Sequence, residues 1–210
     1  MFINKKQRDQ ESDNLPFFKS IGLFLWEIAK VIIISLIIII PVRFYVIQPF
    51  YVKGASMEPN FHDKEYLVID EISYQFHEVE RGDIVVFRYP KDPKQFFIKR
   101  VIGLPNETIV LHEGGITIIN TLQPQGFDLD ESEYLSEKVE TRGELHITLK
   151  DNEYFMMGDN RTSSLDSRLF GPVTRQAIVG RVWLRGWPLD RATLFTEHGE
   201  PHILHQNVEK

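Results

Sequence analysis

Apolar positions are spread unevenly along this chain. From Val31 to Val42 twelve consecutive residues carry no charge: Val-Ile-Ile-Ile-Ser-Leu-Ile-Ile-Ile-Ile-Pro-Val. A helix needs about 20 residues to cross a hydrocarbon core. The apolar segment must therefore extend back through Ile21–Lys30, which takes in Glu27 and Lys30. These two are three apart on one helix face and can pair there. Near a helix end both can also reach toward headgroups. Residues 21–42 would give about 33 Å of helix, enough to span with some tilt. A buried core helix would carry a polar stripe, which Val31–Val42 lacks. A cleaved leader would be followed by small residues, whereas Arg43-Phe-Tyr-Val follows here. The expectation is a retained single-pass anchor over 21–42. Lys5, Lys6, Arg8, Lys19 and Lys30 precede the apolar run, and Arg43 and Lys53 follow it. That bias puts residues 1–20 in the cytoplasm as a tail and the rest outside it. Trp26, Phe44 and Tyr45 suit the two membrane interfaces.

Beyond the anchor the pattern changes to short apolar runs between turn signals. The runs are Tyr66–Ile69, Ile84–Tyr89, Phe96–Ile102, Thr108–His112, Ile116–Ile119, His146–Leu149, Tyr154–Met157 and Ala177–Leu184. Gly-Asp at 82–83, Pro-Asn at 105–106, Gly-Gly at 114–115 and Gly-Asp-Asn at 158–160 punctuate them. No long 3.6-residue period occurs. This predicts a mostly β, antiparallel domain over 43–195 and a polar C-terminal tail over 196–210.

Charge sharpens the layout. Thirty acidic side chains against twenty-four basic ones set the formal charge at −6. That argues against nucleic acid as a partner, since binding it means neutralising many phosphates. Within 122–144, Asp128, Asp130, Glu131, Glu133, Glu137, Glu140 and Glu144 face only Lys138 and Arg142. The deficit is one acidic insertion, whose lack of a steady period predicts a surface loop or small subdomain. With no cysteine in the chain, disulfides, thiolate chemistry and Cys-ligated metals are excluded, but the compartment is left open. His198, His202 and His205 are close in sequence, yet they sit in the polar tail with no scaffold to fix them as ligands, so no metal is expected.

The Gly-x-Ser-x-Gly, His-Glu-x-x-His, P-loop and Gly-x-Gly-x-x-Gly patterns are all missing. Gly54-Ala55-Ser56-Met57-Glu58-Pro59 follows an extended segment, Val46–Val52. Small residues before Ser56 let another backbone come close, and Pro59 keeps Glu58 out of a helix. Alone, such a Ser is a turn hydroxyl; as a nucleophile it needs a base. Lys99 lies in Phe96-Phe97-Ile98-Lys99-Arg100-Val101-Ile102-Gly103, and period-2 alternation puts it on one face with Phe97 and Val101. Between apolar neighbours the ammonium is penalised and its pKa falls. Bringing it from ~10.4 to ~7–8 takes about 3–5 kcal/mol. A neutral Lys can serve as base for a Ser. The opposite alternation, with Lys99 in solvent on an edge strand and Arg100 inward, is equally open to the pattern. A third segment, Gly158 to Arg168, is dense in hydroxyls and charges. There Arg168 can pair with Asp166 or reach Asp159. A Ser hydroxyl from this loop can accept a hydrogen bond from a buried amine. The plain alternative is a polar loop turning at Gly158-Asp159.

In this order, behind an N-terminal anchor, the segments resemble the bacterial type I signal peptidases (leader peptidases), serine proteases with a Ser-Lys dyad. Ser56-Met57-x-Pro59, Gly82-Asp83-Ile84-Val85-Val86, Lys99-Arg100-Val101-Ile102-Gly103, and Gly158-Asp159-Asn160 through Ser164, Asp166, Ser167 and Arg168 match four family motifs. The resemblance spans about 25–190. It implies an antiparallel β catalytic domain with a core similar to that of the self-cleaving repressors. It implies that Ser56 attacks the scissile carbonyl, that Lys99 takes its proton, and that Ser164 hydrogen-bonds and orients the Lys99 amine. Asp159, Asp166 and Arg168 would be charge partners around the loop, and the Ser56 backbone N–H an oxyanion donor. Some members carry a Ser two places before the nucleophile as a second donor; here Gly54 stands there, leaving that donor unassigned. Asn60 and Phe61 depart from the usual Thr-Leu after the Pro, so altered packing is expected. The implied activity is removal of signal peptides from exported preproteins at the plasma (cytoplasmic) membrane, without metal or cofactor. The partners would be signal-peptide-bearing preproteins and the lipid bilayer, and no oligomer is implied. The substrate would bind extended and be cut after small residues at the first and third positions before the bond. Two other classes stand beside it. A self-cleaving repressor would need a DNA-binding domain where this chain has an apolar segment. A membrane-anchored β module without activity would leave Ser56 and Lys99 unused.

Overall fold

The computed structural model describes residues 5–41, 48–136, 139–195 and 201–203. They fall into two compact units, 1–45 and 46–210. The first is a single helix, α1 (Lys5–Pro41). It begins well before residue 21, so most of the expected tail is helical. Its segment Ile21–Ile40 has a mean hydropathy of 2.6 and is long and apolar enough to cross a membrane. Leu23, Phe24, Trp26, Ile33 and Ile37 are all exposed on it. A surface this apolar suits hydrocarbon rather than water. Lys30 donates to Glu27 at 2.7 Å, the expected pairing three residues apart. Phe44, Tyr45, His198 and His205 lie outside the described residues.

In the second unit each of the eight apolar runs falls on a strand, His146–Leu149 and Ala177–Leu184 each overrunning theirs by one residue. These strands are β2 (Tyr66–Asp70), β3 (Ile84–Tyr89), β4 (Asp92–Gly103), β5 (Thr108–His112), β6 (Gly115–Ile119), β8 (Leu145–Thr148), β9 (Glu153–Met157) and β11 (Ile178–Trp187). Five short strands have no apolar run of their own: β1 (Gln48–Tyr51), β7 (Phe127–Asp128), β10 (Val173–Thr174), β12 (Thr193–Phe195) and β13 (Pro201–Ile203). Two one-turn helices, α2 (Ser73–Phe76) and α3 (Ser167–Phe170), and two 3-10 turns, Arg175–Ala177 and Leu189–Arg191, lie between the strands. β13 pairs with β12 and carries regular structure past residue 195.

The larger sheet runs β1-β2-β11-β3-β4-β9-β10, with β12 beside β11 and β13 beside β12. A second sheet runs β7-β6-β5-β8. All the pairings are antiparallel. The core explains the weak alternation in the sequence. On β3, Ile84 and Val86 join Val52, Met57, Phe61 and Leu67 on one side, while Val85 and Phe87 join Val101, Met156 and Ile178 on the other. A third cluster ties Ile102, Phe155 and Met157 to Ile109 and Ile118 of the second sheet. Successive side chains of a strand point to opposite faces, and here both faces are covered. The central strands therefore read as continuous apolar runs.

The acidic insertion is irregular, as its sequence suggests. Phe127–Asp128 pairs with β6, Leu129 N donates to Ile116 O at 2.8 Å, and Thr141 N donates to Gly114 O at 2.9 Å. Leu135 and Thr141 are buried.

Candidate active site

After β1 the chain is held to the start of β2: Val52 N donates to Glu65 O at 2.9 Å and Lys64 N to Val52 O at 3.0 Å. Gly54 follows at φ 91°, where a residue with a Cβ would be strained. Its amide donates to Asp63 Oδ1 at 2.8 Å, so that N–H is committed to Asp63. Ser56 enters a turn closed by Phe61 N donating to Met57 O at 2.8 Å. Met57 and Phe61 are fully buried and pin the turn to the core.

Lys99 arrives from β4. Its Nζ is 2.7 Å from Ser56 Oγ and donates to the Ile98 carbonyl at 2.7 Å. It lies 5.6 Å from the centre of the Phe97 ring, on the face that alternation predicts. Lys99 is only 3 % exposed. Burial pushes its amine down from 10.5 to about 8, against the opposing charges of Asp166 and Asp159. The alternative in which Arg100 is inside and Lys99 outside fails, because both are buried. A strand covered on both faces hides neighbours of opposite parity.

Arg100 is matched by Asp159. Its Nε donates to Oδ1 at 2.9 Å and its Nη2 to Oδ2 at 2.8 Å, with both side chains buried. Its Nη1 donates to Gly82 O at 2.9 Å. Arg168 is left for Asp166: Nε to Oδ1 at 2.9 Å and Nη2 to Oδ2 at 2.8 Å. Asp166 also caps α3 by accepting from Arg168 N at 3.2 Å, and accepts from Gly158 N at 3.1 Å. Burial pushes the Asp166 carboxyl up. The Arg168 contacts, the Ser164 hydroxyl and the Gly158 amide together outweigh burial and hold it below its usual value.

Ser164 Oγ and Ser56 O both crowd Gly158, but the expected bond from Ser164 to Lys99 is not formed. The second contact of the amine is the Ile98 carbonyl. Ser164 Oγ lies close enough to bias Asp166, yet it meets the geometry of a hydrogen bond with no protein group. Gly158 explains how the loop comes so near. A Cβ there would stand 2.2 Å from Ser164 Oγ and 2.3 Å from Ser56 O. Asn160 then grips the backbone at Ser56: its N donates to Ser56 O at 3.1 Å and its Nδ2 to Ala55 O at 3.0 Å. This is the close backbone approach that the small residues before Ser56 predict.

Three residues of this neighbourhood went unassigned in the sequence. Arg100 was legible as one of two adjacent cations inside an apolar run. Asn60 and Tyr134 carried no such signal. Asn60 Nδ2 donates both to Tyr134 O and to Asp159 Oδ2, each at 2.8 Å. The Tyr134 ring lies over Arg100, with the guanidinium carbon 3.9 Å from its centre.

Beside Ser56 and Lys99 opens a cleft of about 520 Å³, lined by Phe50, Val52, Val86, Phe96, Ile98 and Leu165 among others. β4 pairs with β3 through Phe96–Arg100, whereas β9 takes up its other edge only from Arg100 onward. Among the described residues, the edge at Phe96–Ile98 is unpaired.

The arrangement can perform acyl transfer: a hydroxyl, an amine able to be neutral near neutral pH, and an extended apolar cleft with a free strand edge. Comparison with known proteins gives the chain's relatives. The chain is 34% identical over 180 residues to the probable signal peptidase I-2 of Synechocystis, covering 83% of this chain and 78% of that protein. It is 36% identical over 174 residues to the signal peptidase I of Leptolyngbya laminosa, covering 80% and 82%. A solved signal peptidase I structure from Enterococcus faecalis is similar over 50% of this chain and 97% of that one, at 28% identity and a TM-score of 0.41. The profile of the family described as "Signal peptidase, peptidase S26" matches residues 25–187. With a match that runs from within α1 to the last residue of β11, this chain belongs to the signal peptidase family, peptidase S26.

Proposed function

We propose that this serine peptidase removes signal peptides from exported preproteins with Ser56 as nucleophile and Lys99 as general base. The observation that carries the reading is the 2.7 Å contact between Ser56 Oγ and a Lys99 amine that burial has brought to about 8. The Ser56 O–H passes its proton to the neutral Lys99 Nζ as Oγ bonds to the scissile carbonyl carbon. The oxyanion forms toward the Ser56 backbone N–H. Lys99 returns the proton to the leaving amine as the C–N bond breaks and an acyl-Ser56 ester remains. Lys99 then takes a proton from water as the water oxygen bonds to the ester carbon, and returns it to Ser56 Oγ as the acyl C–O bond breaks, releasing the carboxylic product and restoring both residues.

Ser164, half-buried with its hydroxyl oxygen shielded from water beside Asp166, is available to steady the amine as its charge changes. Asp159, Asp166 and Arg168 hold the loop that brings it there. The substrate lies extended in the cleft and pairs with the free β4 edge at Phe96–Ile98. Apolar walls close to the dyad favour small side chains at the first and third positions before the cut. Residues 21–42 anchor the enzyme in the plasma membrane, with the N-terminus cytoplasmic and the β domain over 43–195 outside. Anchoring confines enzyme and membrane-bound substrate to one thin layer and raises their effective concentration.

The test is cleavage of a preprotein with an Ala-x-Ala signal sequence by purified Ser56→Ala and Lys99→Ala variants. Each is expected to be inactive with an unchanged circular dichroism spectrum. Wild-type rates in either variant would refute the dyad.

A further inference from the structure

The acidic insertion grips the catalytic loop at two points. At the first, Glu131 holds Arg161 through both guanidinium nitrogens, with Nη1 at 2.6 Å from Oε2. The Thr141 hydroxyl accepts from the same guanidinium. Arg161 is fully buried, and its Nε donates to Gly158 O at 3.1 Å. At the second, the Tyr134 ring covers Arg100 while its carbonyl and Asp159 Oδ2 share the Asn60 amide. The Tyr134 hydroxyl donates to Glu131 at 2.5 Å and so joins the two grips. Between them lies Gly158–Asn160, the segment whose Asn160 holds the carbonyls of Ala55 and Ser56. Asn60 itself follows the nucleophile by four residues, and its own carbonyl accepts from Arg185 Nη1 at 2.8 Å.

We propose that the insertion is an internal brace that sets the register of Ser56 against Lys99, with Asn60, Glu131 and Tyr134 as positioning residues; this rests on the dyad reading above. The chemistry of the contacts supports it. Arg161 is a buried cation whose carboxylate partner comes from the insertion, so the loop keeps its buried charge matched only while the insertion is seated. The Asn60 amide spends both of its N–H donors on these two bonds, and moving either acceptor leaves one donor unpaired. Much of the acidity of 122–144 remains on the surface, but Glu131 is turned inward to this task. A displacement of about 1 Å at a reacting pair can cost about 100-fold in rate, which sets the scale of the brace's effect.

The experiment uses the full chain in detergent micelles, with kcat and KM read on a preprotein substrate well below the unfolding temperature of every variant. Asn60→Leu and Tyr134→Leu are each expected to lower kcat by about 10- to 100-fold while KM stays within about threefold. Tyr134→Phe keeps the ring over Arg100 and gives up only the hydroxyl bond to Glu131, so it is expected to retain more of the wild-type kcat than Tyr134→Leu. Asn60→Leu removes the bridge to Asp159 and Tyr134→Leu the cover of Arg100, the two members of one ion pair, so the double variant is expected to lose less than the product of the two singles. A kcat within about twofold of wild type in folded Asn60→Leu and Tyr134→Leu would overturn the brace. So would a rise in KM at constant kcat, which would mean the insertion meets substrate. Ser56→Ala and Lys99→Ala run alongside separate the two claims. If they are inactive while the brace variants are normal, only the brace falls; if they are active, the dyad falls and takes the brace with it.

Discussion

The buried Lys99 amine makes the enzyme's pH dependence calculable. The perturbation is a titration from pH 6 to 10.5, in the wild type and in Lys99→Met. With the amine brought to about 8 by burial, about 10 % of molecules carry a neutral base at pH 7, against about 0.03 % for an ordinary lysine. The site therefore gains about 300-fold in competent enzyme at pH 7. Below about 8, kcat/KM should rise tenfold per pH unit, then level off. The same shift acts on stability, with a definite sign. Between about 8 and 10.5 the unfolded chain still binds the lysine proton and the folded chain does not. Stability should therefore rise with pH across that window, by up to about 3 kcal/mol. Below about 8 both states are protonated, and the folded protein bears the full cost of a buried ammonium. Guanidinium unfolding at half-unit steps, run beside peptide-cleavage kinetics, reads both effects. The stability slope should vanish in Lys99→Met. An activity limb centred near 10.5, or the same slope in both proteins, would refute the reasoning.

Other outcomes follow from the packing. Gly158→Ala would force a methyl against Ser164 Oγ and Ser56 O, so a fall in kcat of at least about tenfold is expected at nearly constant KM. Arg100→Met leaves Asp159 buried and unpaired and should cost about 3–5 kcal/mol in chemical denaturation, while adding Asp159→Leu to it should recover part of that loss. Protease added to the outside of intact spheroplasts should digest the β domain and spare the N-terminus; full protection of the domain would reverse the topology. Asp63→Ala frees the Gly54 amide and loosens the turn before Ser56, so it should lower kcat more than it raises KM.

Much of the fold was legible because apolar runs and turn residues point the same way. All eight runs became strands, and Glu27–Lys30 paired as their spacing allows. The short strands were hidden for a physical reason. β7 and β10 are two residues each and are held by their neighbours' edges rather than by a pattern of their own. Lys99 and Ser56 were readable because each sits oddly in its setting, a cation in an apolar strand and a hydroxyl among small residues. The parity of Lys99 and Arg100 was not decidable, since alternation assumes one wet face and the central sheet here has none. Asn60, Glu131 and Tyr134 were hidden more deeply. Their roles arise from contacts across 30 to 99 positions of chain, and nothing local distinguishes them from a polar turn and an acidic loop.

The adjacency of Lys99 and Arg100 on one doubly covered strand has an evolutionary consequence. Side chains on a strand alternate with a period of two, so deleting a single residue between β3 and position 99 would carry Arg100 into the place of Lys99, and inserting one would carry Lys99 into the place of Arg100. After the deletion the guanidinium, which stays charged at any physiological pH, would confront Ser56; after the insertion the amine would inherit Asp159. Such a chain could keep its hydrophobic composition and still be inert. A two-residue change would keep the face but move Lys99 about 7 Å along the strand, so length changes near this hairpin should be tolerated only at its tip, where Tyr89 and Asp92 already absorb a register shift.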